Sequence, residues 1–138
     1  MNFLLTGGAG YIGSHAALSL LDAGHNVHII DNLSTGNESL IPKNAYFTNC
    51  NISDEKVISE LIKSNSFDLL MHFAGFIQVE ESVKYPQKYF DNNTENATKL
   101  FETCKNNGLN KIVFSSTAAA YGSVSENKLI DENTNLNP

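Results

Sequence analysis

Thr6-Gly7-Gly8-Ala9-Gly10-Tyr11-Ile12-Gly13 is the stretch on which the fold turns. It follows the short apolar run from Phe3 to Thr6. It opens a segment in which Ile12, Ala16 and Leu20, with Ala17 and Leu21 beside them, recur at helical spacing. The glycines fit G-x-G-x-x-G through Gly8, Gly10 and Gly13, and G-x-x-G-x-x-G through Gly7, Gly10 and Gly13. A strand-to-helix turn needs one glycine for the tight bend. A diphosphate needs one to approach the backbone, and the helix needs one to pack closely on the strand. The start of the helix adds free N–H groups and the positive end of its dipole. A glycine-rich turn without a ligand is the bland alternative. The position between a strand and a helix favours nucleotide binding.

Working outward, Gly24 stops the first helix. Asn26 to Asp31 holds the β-rich run Val27-His28-Ile29-Ile30, a second strand, and Ala45 to Thr48 reads as a third. Ser53 reads as an N-cap, with Asp54 and Glu55 in the first turn and Val57, Ile58, Leu61 and Ile62 on the buried face of the helix. Phe67 to Phe73 is a fourth strand. A long helix is expected from Pro86 to about Asn107, with Phe90, Ala97, Leu100, Phe101 and Cys104 on one stripe and Gly108 at its end. Lys111 to Ser115 is a fifth strand, and the chain beyond it is polar without a clear period. Strand–helix alternation of this kind predicts an α/β fold, a doubly wound parallel sheet of the NAD(P)-binding Rossmann type with strand order 3-2-1-4-5. Ligands in such sheets sit outside the carboxyl ends of the strands. The loops after Thr6, Ile30, Phe73 and Ser115 are therefore the ones to inspect.

Asp31 ends the second strand, where an acid can bond the adenosine ribose hydroxyls. A carboxylate there repels a 2′-phosphate, and no arginine lies near it, so NAD is expected over NADP. A turn-forming aspartate is the alternative. The 138 residues suffice for one domain with a real core. The net charge of −6 gives no electrostatic pointer to nucleic acid or an anionic membrane surface. Apolar runs such as Phe3-Leu4-Leu5 are too short to span a bilayer. The first residues lack the basic and long apolar regions of a signal peptide, and Cys50 and Cys104 have no metal or redox spacing. A reduced, cytoplasmic setting is expected, with no metal site.

Further segments carry a resemblance. Thr6-Gly-Gly-Ala-Gly-Tyr-Ile-Gly-Ser-His15 resembles the opening of the extended short-chain dehydrogenase/reductases, in particular the sugar-nucleotide epimerases. Asp31-Asn-Leu-Ser-Thr-Gly36 is similar to the segment that follows the second strand in UDP-glucose 4-epimerases. His72-Phe-Ala-Gly75, Glu81-Ser82-Val83 with Pro86 and Tyr89-Phe-Asp-Asn-Asn93, and Phe114-Ser-Ser-Thr-Ala118 with Tyr121-Gly122 match the same group. The likeness runs from Met1 to Pro138. It implies an isomerase of galactose metabolism in which a sugar C4 hydride passes to tightly bound NAD. The keto sugar then turns over and takes the hydride back on its other face.

The resemblance also implies roles. Gly7, Gly10, Tyr11, Ile12 and Gly13 would line the pyrophosphate loop. Asp31 and Asn32 would hold the adenosine ribose, with Ser34, Thr35 and Gly36 nearby. Asn51 and Ile52 would flank the adenine; Asn51 departs from the acid usual in the family. Phe73, Ala74 and Gly75 would border the pyrophosphate and nicotinamide ribose, and Ile77 stands where some members have a lysine. Asn93 would lie near the nicotinamide end, or would bond neighbouring backbone as a buried amide must. Ser115 would contact the cofactor, and Thr117 would sit on the sugar hydroxyl being oxidised. The histidines His15, His28 and His72 read as structural.

The family works through a Tyr-x-x-x-Lys pair, in which the lysine lowers the tyrosine's pKa. Tyr11, Tyr46, Tyr85, Tyr89 and Tyr121 are followed four positions later by His15, Cys50, Tyr89, Asn93 and Ser125, none of them lysine. Residues 1–138 are therefore expected to be an incomplete NAD-binding domain of a longer protein, without its substrate domain and inactive alone. A UDP-sugar substrate and a homodimer, formed through a bundle that includes the helix near Pro86, are family implications. The alternatives are another NAD-dependent sugar-nucleotide epimerase, a dehydratase or decarboxylase, or a non-catalytic NAD-binding module. Ala118, Ala119 and Ala120 after Thr117 speak against the dehydratase, which would carry an acidic pair there.

Overall fold

The computed structural model describes residues 1–123 and 129–138. Five short strands build one all-parallel sheet in the order β3-β2-β1-β4-β5, the expected doubly wound order. They are β1 (Asn2–Thr6), β2 (Asn26–Asp31), β3 (Tyr46–Asn49), β4 (Leu69–His72) and β5 (Ile112–Phe114). The helices between them are α1 (Tyr11–Asp22), α2 (Glu55–Ser64), α3 (Val79–Lys84), α4 (Pro86–Phe90) and α5 (Ala97–Asn106). Thr6 lies opposite both Ile30 and His72. The carboxyl ends of the three central strands thus finish level, where the order reverses on either side of β1.

Apolar residues fill both faces of the central strands, which is why β1 and β2 read as continuous apolar runs rather than as alternation. Leu4, Ile30 and Leu70 point to one face and pack with Ile58 and Ile62 of α2 and Leu100 and Cys104 of α5. Phe3, Leu5, Val27 and Ile29 point to the other and pack under Ala17 of α1. Both expected helix stops are real. Gly24 (φ +79°) and Gly108 (φ +87°) lie in the left-handed region. His25 N–H reaches the Leu20 carbonyl at 3.0 Å, and Leu109 N–H reaches that of Cys104 at 2.9 Å. These six-residue closures satisfy carbonyls that the helix itself leaves open.

The structure differs from expectation at one helix cap, along the long helix and at the bounds of three strands. The N-cap of α2 is Asp54, whose Oδ1 accepts from Val57 N–H at 3.2 Å, rather than Ser53. Ser53 turns its hydroxyl back to Asn51 Oδ1 instead. The long helix is regular only at its ends: Asp91–Asn96 is a π-helical segment between α4 and α5. Wider turns shift the phase of everything before them relative to α5. Ala97, Leu100 and Cys104 are buried as expected, while Phe90 is left 62% exposed. The strands run shorter than read at β4 and β5, and β3 lies one residue later, set by the pairing of His28 with Tyr46. The six-residue α3 carries no clear sequence signal: its Glu80 and Glu81 favour a helix start, but too few residues repeat to show a period. No helix among the described residues is long and apolar enough to cross a membrane.

Candidate functional site

The glycine loop is built by exclusion. Gly7 has φ +72°, and a Cβ there would come within 2.5 Å of the Ala74 backbone nitrogen. A Cβ on Gly13 would overlap the Gly7 carbonyl oxygen, and one on Gly8 would meet the Ile29 side chain at 2.6 Å. Gly10 is different: its Cβ would touch only Gly7 O, at 3.3 Å. Gly7, Gly8 and Gly13 therefore serve close packing, and Gly10 keeps an open side. Gly10 also begins α1, with no side-chain cap and no acid in the first turn. Gly10 N–H bonds to Gly7 O at 3.1 Å and Ser14 N–H to Gly10 O at 3.0 Å. Between them the N–H groups of Tyr11, Ile12 and Gly13 have no carbonyl one turn upstream within the helix. The Tyr11 and Ile12 side chains are 76% and 61% exposed, flanking that uncapped end.

Asp31 faces this loop. Its buried carboxylate accepts from Ala9 N–H at 3.0 Å through Oδ2 and from Leu33 N–H at 2.8 Å through Oδ1. Ala9 in turn accepts from Asn37 N–H at 2.9 Å. Ala9, fully buried, thus ties the glycine loop to the 31–37 loop by both of its backbone groups. Sequence reasoning missed it; the one available signal was a small residue among the glycines. Leu33 has φ +56°, an uncommon conformation for a leucine, and the Asp31 bond holds it there. Gly36 lies against the same pair, since its Cβ would meet the Ala9 Cβ at 2.8 Å and Asp31 Oδ1 at 3.0 Å. Asn32 closes the turn, accepting from Ser34 N–H at 3.0 Å; Ser34 and Thr35 are exposed.

Across β1 lies the loop after β4. Phe73 N–H bonds to Thr6 O at 3.0 Å, and the Ala74 backbone passes over Gly7. Asn93 sits in the π-helical segment and bonds the backbone of Phe76, beside Gly75. Beneath this loop His72 is only 2% exposed, and its Nδ1 shares a 2.7 Å hydrogen bond with Thr6 Oγ1. Its ring stacks on Phe114 and meets Phe101 edge-on. Burial pulls its pKa from 6.5 down to about 4, and burial lowers that of His28 as well. Below pH 6.5 the unfolded chain takes up a proton that folded His72 refuses. Stability is therefore fully present at pH 7 and is lost as the pH falls toward 4, by about 2–3 kcal/mol from this group. Urea unfolding at a series of pH values checks it. A profile flat from pH 7 to pH 4.5, or one unchanged in His72→Asn, contradicts it.

The other expected residues lie further out. Asn51 Oδ1 accepts from Ser53 N–H and Oγ, closing a turn after β3, while the Ile52 side chain goes into the core. Ser115 N–H bonds to His72 O at 3.0 Å, extending the β4–β5 ladder. Thr117 caps the short 3-10 turn Ala118–Tyr121, its Oγ1 accepting from Ala119 N–H at 3.2 Å. Ile77 is 84% exposed. A bowl of about 240 Å³ at the opposite, amino end of the strands is lined by Asn2, Asn26, His28, Tyr46, Asn65 and Phe67. Its amides bond one another or nearby carbonyls, and it shares none of the loops at the carboxyl ends.

Known proteins align with this arrangement. The NAD dependent epimerase/dehydratase family matches residues 3–138. The UDP-glucose 4-epimerase of Lacticaseibacillus casei is 46% identical over 122 residues, which cover 88% of this chain and 37% of that enzyme. UDP-arabinose 4-epimerase 1 of Arabidopsis thaliana is 41% identical over 128 residues, covering 86% of this chain and 30% of that protein. The crystal structure of the Thermus thermophilus UDP-glucose 4-epimerase in complex with NAD superposes with a TM-score of 0.89 at 34% identity, over 100% of this chain and 45% of that one. The chain thus spans well under half the length of these relatives. With a family match across nearly all its residues, the chain belongs to the NAD dependent epimerase/dehydratase family.

Proposed function

We propose that this chain is the NAD-holding portion of a sugar-nucleotide 4-epimerase that interconverts UDP-glucose and UDP-galactose through a 4-keto sugar. The observation that carries the reading is the uncapped start of α1, ringed by Gly7, Gly10 and Gly13, with the Asp31 carboxylate turned toward it. The donor set fits the group. Tyr11, Ile12 and Gly13 N–H groups suit a diphosphate, and the Gly10 side leaves room for it. Asp31 uses one lone pair on each oxygen for Ala9 and Leu33, so each keeps one for a ribose hydroxyl. The same charge disfavours a 2′-phosphate. Asn32, Ser34, Thr35 and Gly36 border that ribose, Asn51 and Ile52 the adenine, and Phe73, Ala74, Gly75 and Asn93 the nicotinamide side.

When bound, NAD supplies the hydride acceptor for the sugar C4. Thr117 would meet the sugar hydroxyl. Its Oγ1 already accepts from Ala119 N–H, which leaves its own proton free to donate. Ser115 stands at the same strand end. The base that takes the sugar hydroxyl proton is a Tyr-x-x-x-Lys pair, which none of the five tyrosines here forms. The UDP-sugar, the homodimer and the cytoplasmic setting belong to the intact enzyme under this reading. Another UDP-sugar is the second reading, favoured by the similarity to a UDP-arabinose 4-epimerase.

Calorimetry with NAD and NADP, and an assay with UDP-galactose, test the proposal. The chain is expected to bind NAD, to bind NADP at least tenfold more weakly, and to leave UDP-galactose unchanged. Preference for NADP, or turnover by the 138-residue chain, would overturn the corresponding part.

A further inference from the structure

We propose that Gly122 is a positioning residue for Thr117, acting through a strap of chain, residues 131–137, that only a glycine lets close over the turn after β5. The inference rests on the reading above in which Thr117 meets the sugar hydroxyl. Gly122 stands at φ +68° and ψ −156°, a region that is essentially glycine's alone. A Cβ there would overlap the Asn137 carbonyl oxygen and stand 3.0 Å from the carbon that bears it. Both are backbone atoms, so no side chain can turn aside to make room. The space left by the missing side chain is the space through which residue 137 passes.

Asn137 is tied there as well as admitted. Its N–H donates to Ala120 O at 2.9 Å. Ala120 N–H donates to Thr117 O at 3.2 Å, and Ala119 N–H to Thr117 Oγ1 at 3.2 Å. Ala120 thus stands between the strap and Thr117, with one backbone group on each. The Ala118–Tyr121 turn needs such a fastening. None of its residues is buried, and so short a 3-10 turn is weak alone. Among the described residues, Asn137 N–H is the one backbone donor that the turn receives from another segment. The strap is itself closed just before it arrives. Asp131 N–H donates to Thr134 Oγ1 at 3.1 Å, and that hydroxyl donates back to Asp131 Oδ1 at 3.0 Å. Asn133 N–H donates to the same oxygen at 3.0 Å, and Thr134 N–H to Asp131 O at 3.1 Å. A segment already folded on itself loses less freedom when it is held down. With the strap released, the turn frays, Thr117 Oγ1 loses Ala119 N–H, and its hydroxyl loses a fixed direction.

NMR on the 138-residue chain tests this, comparing the parent with three altered forms. Gly122→Ala brings both the disallowed backbone and the clash. D-alanine at position 122 has the mirror-image preference, so φ +68° and ψ −156° suit it, and its methyl takes the other bond of the α-carbon. An ester in place of the Asn137 amide removes the donor to Ala120 and leaves every side chain intact. Gly122→Ala is expected to speed exchange of the Asn137 amide with water by about tenfold or more, and to average Thr117 over its χ1 rotamers, read from three-bond couplings. The ester is expected to average Thr117 in the same way. The D-alanine form is expected to keep Asn137 within about threefold of the parent and Thr117 in one rotamer. Core amides at Leu4 and Ile30 are expected to exchange alike in all forms. Parent-like exchange at Asn137 in Gly122→Ala overturns the inference, as does an ester form that holds Thr117 in one rotamer or a D-alanine form as loose as the L form. Core amides that speed up as much as Asn137 would mark a general loss of stability and overturn it too. Should Gly122→Ala fail to fold, the ester and the D-alanine form carry the comparison. None of these readouts needs a ligand, so a parent chain that binds no NAD overturns the proposed function while the couplings still decide whether Gly122 fixes Thr117.

Discussion

Replacing Gly7 with alanine is expected to lower stability by about 2–4 kcal/mol and to weaken NAD binding by about 100-fold or more. Two independent costs meet at this position. The backbone stands at φ +72°, where a Cβ crowds its own carbonyl. The same Cβ would lie 2.5 Å from Ala74 N and 2.7 Å from the Phe73 carbonyl carbon. Those are backbone atoms of β4's exit, which cannot swing aside as the end of a side chain can. The loop must open, and the N–H groups of Tyr11, Ile12 and Gly13 lose their common aim. Gly24→Ala is the control. It has a similar φ of +79° but nothing within 4 Å of the new atom. It is expected to cost about 1 kcal/mol of stability and to leave the NAD affinity unchanged. Urea unfolding and calorimetry on both variants separate the two effects. Equal losses of affinity in the two would show that the Gly7–Ala74 contact does not shape the site.

Asp31→Ala is expected to have the next largest effect. The substitution strands two backbone donors, Ala9 N–H and Leu33 N–H, the first of them at a fully buried residue. An unsatisfied donor costs about 1–3 kcal/mol, and the strained Leu33 loses what holds it. The join between the glycine loop and the 31–37 loop is then reduced to Asn37 N–H on Ala9 O. A stability loss of about 2–4 kcal/mol is expected, together with loss of the preference for NAD over NADP. Asp31→Asn keeps one acceptor oxygen and should fall between. Measuring unfolding together with both Kd values checks this. Parent-like stability in Asp31→Ala would show that the carboxylate does not join the loops.

The strand order and the glycine loop were legible for a common physical reason. Leu4, Leu5, Ile29 and Ile30 form unbroken apolar runs because both faces of the inner strands are covered, and Gly24 and Gly108 stop helices through local backbone geometry. What stayed hidden depends on partners distant in sequence. Ala9 matters through Asp31 and Asn37, neither of them its neighbour in the chain. Phe90 looked like part of a buried stripe because seven residues separate it from Ala97. The π-helical segment between them breaks that phase. Asn93 read equally well as a ligand contact and as a structural amide, and its two bonds to Phe76 became visible only in three dimensions. Ser53 and Asp54 are both good caps in composition, and the choice fell to Asp54 once Ser53 was engaged by Asn51.

The most direct test is an NMR titration of the chain with NAD that follows each backbone amide. The largest shifts are expected at Tyr11, Ile12 and Gly13, with a second group at Ala9, Asp31 and Leu33, and NADP should reproduce neither at the same concentration. Shifts confined to the bowl around Asn26, Tyr46 and Phe67, with the amides of residues 11–13 unmoved, would contradict the assignment of the open α1 end as the diphosphate site.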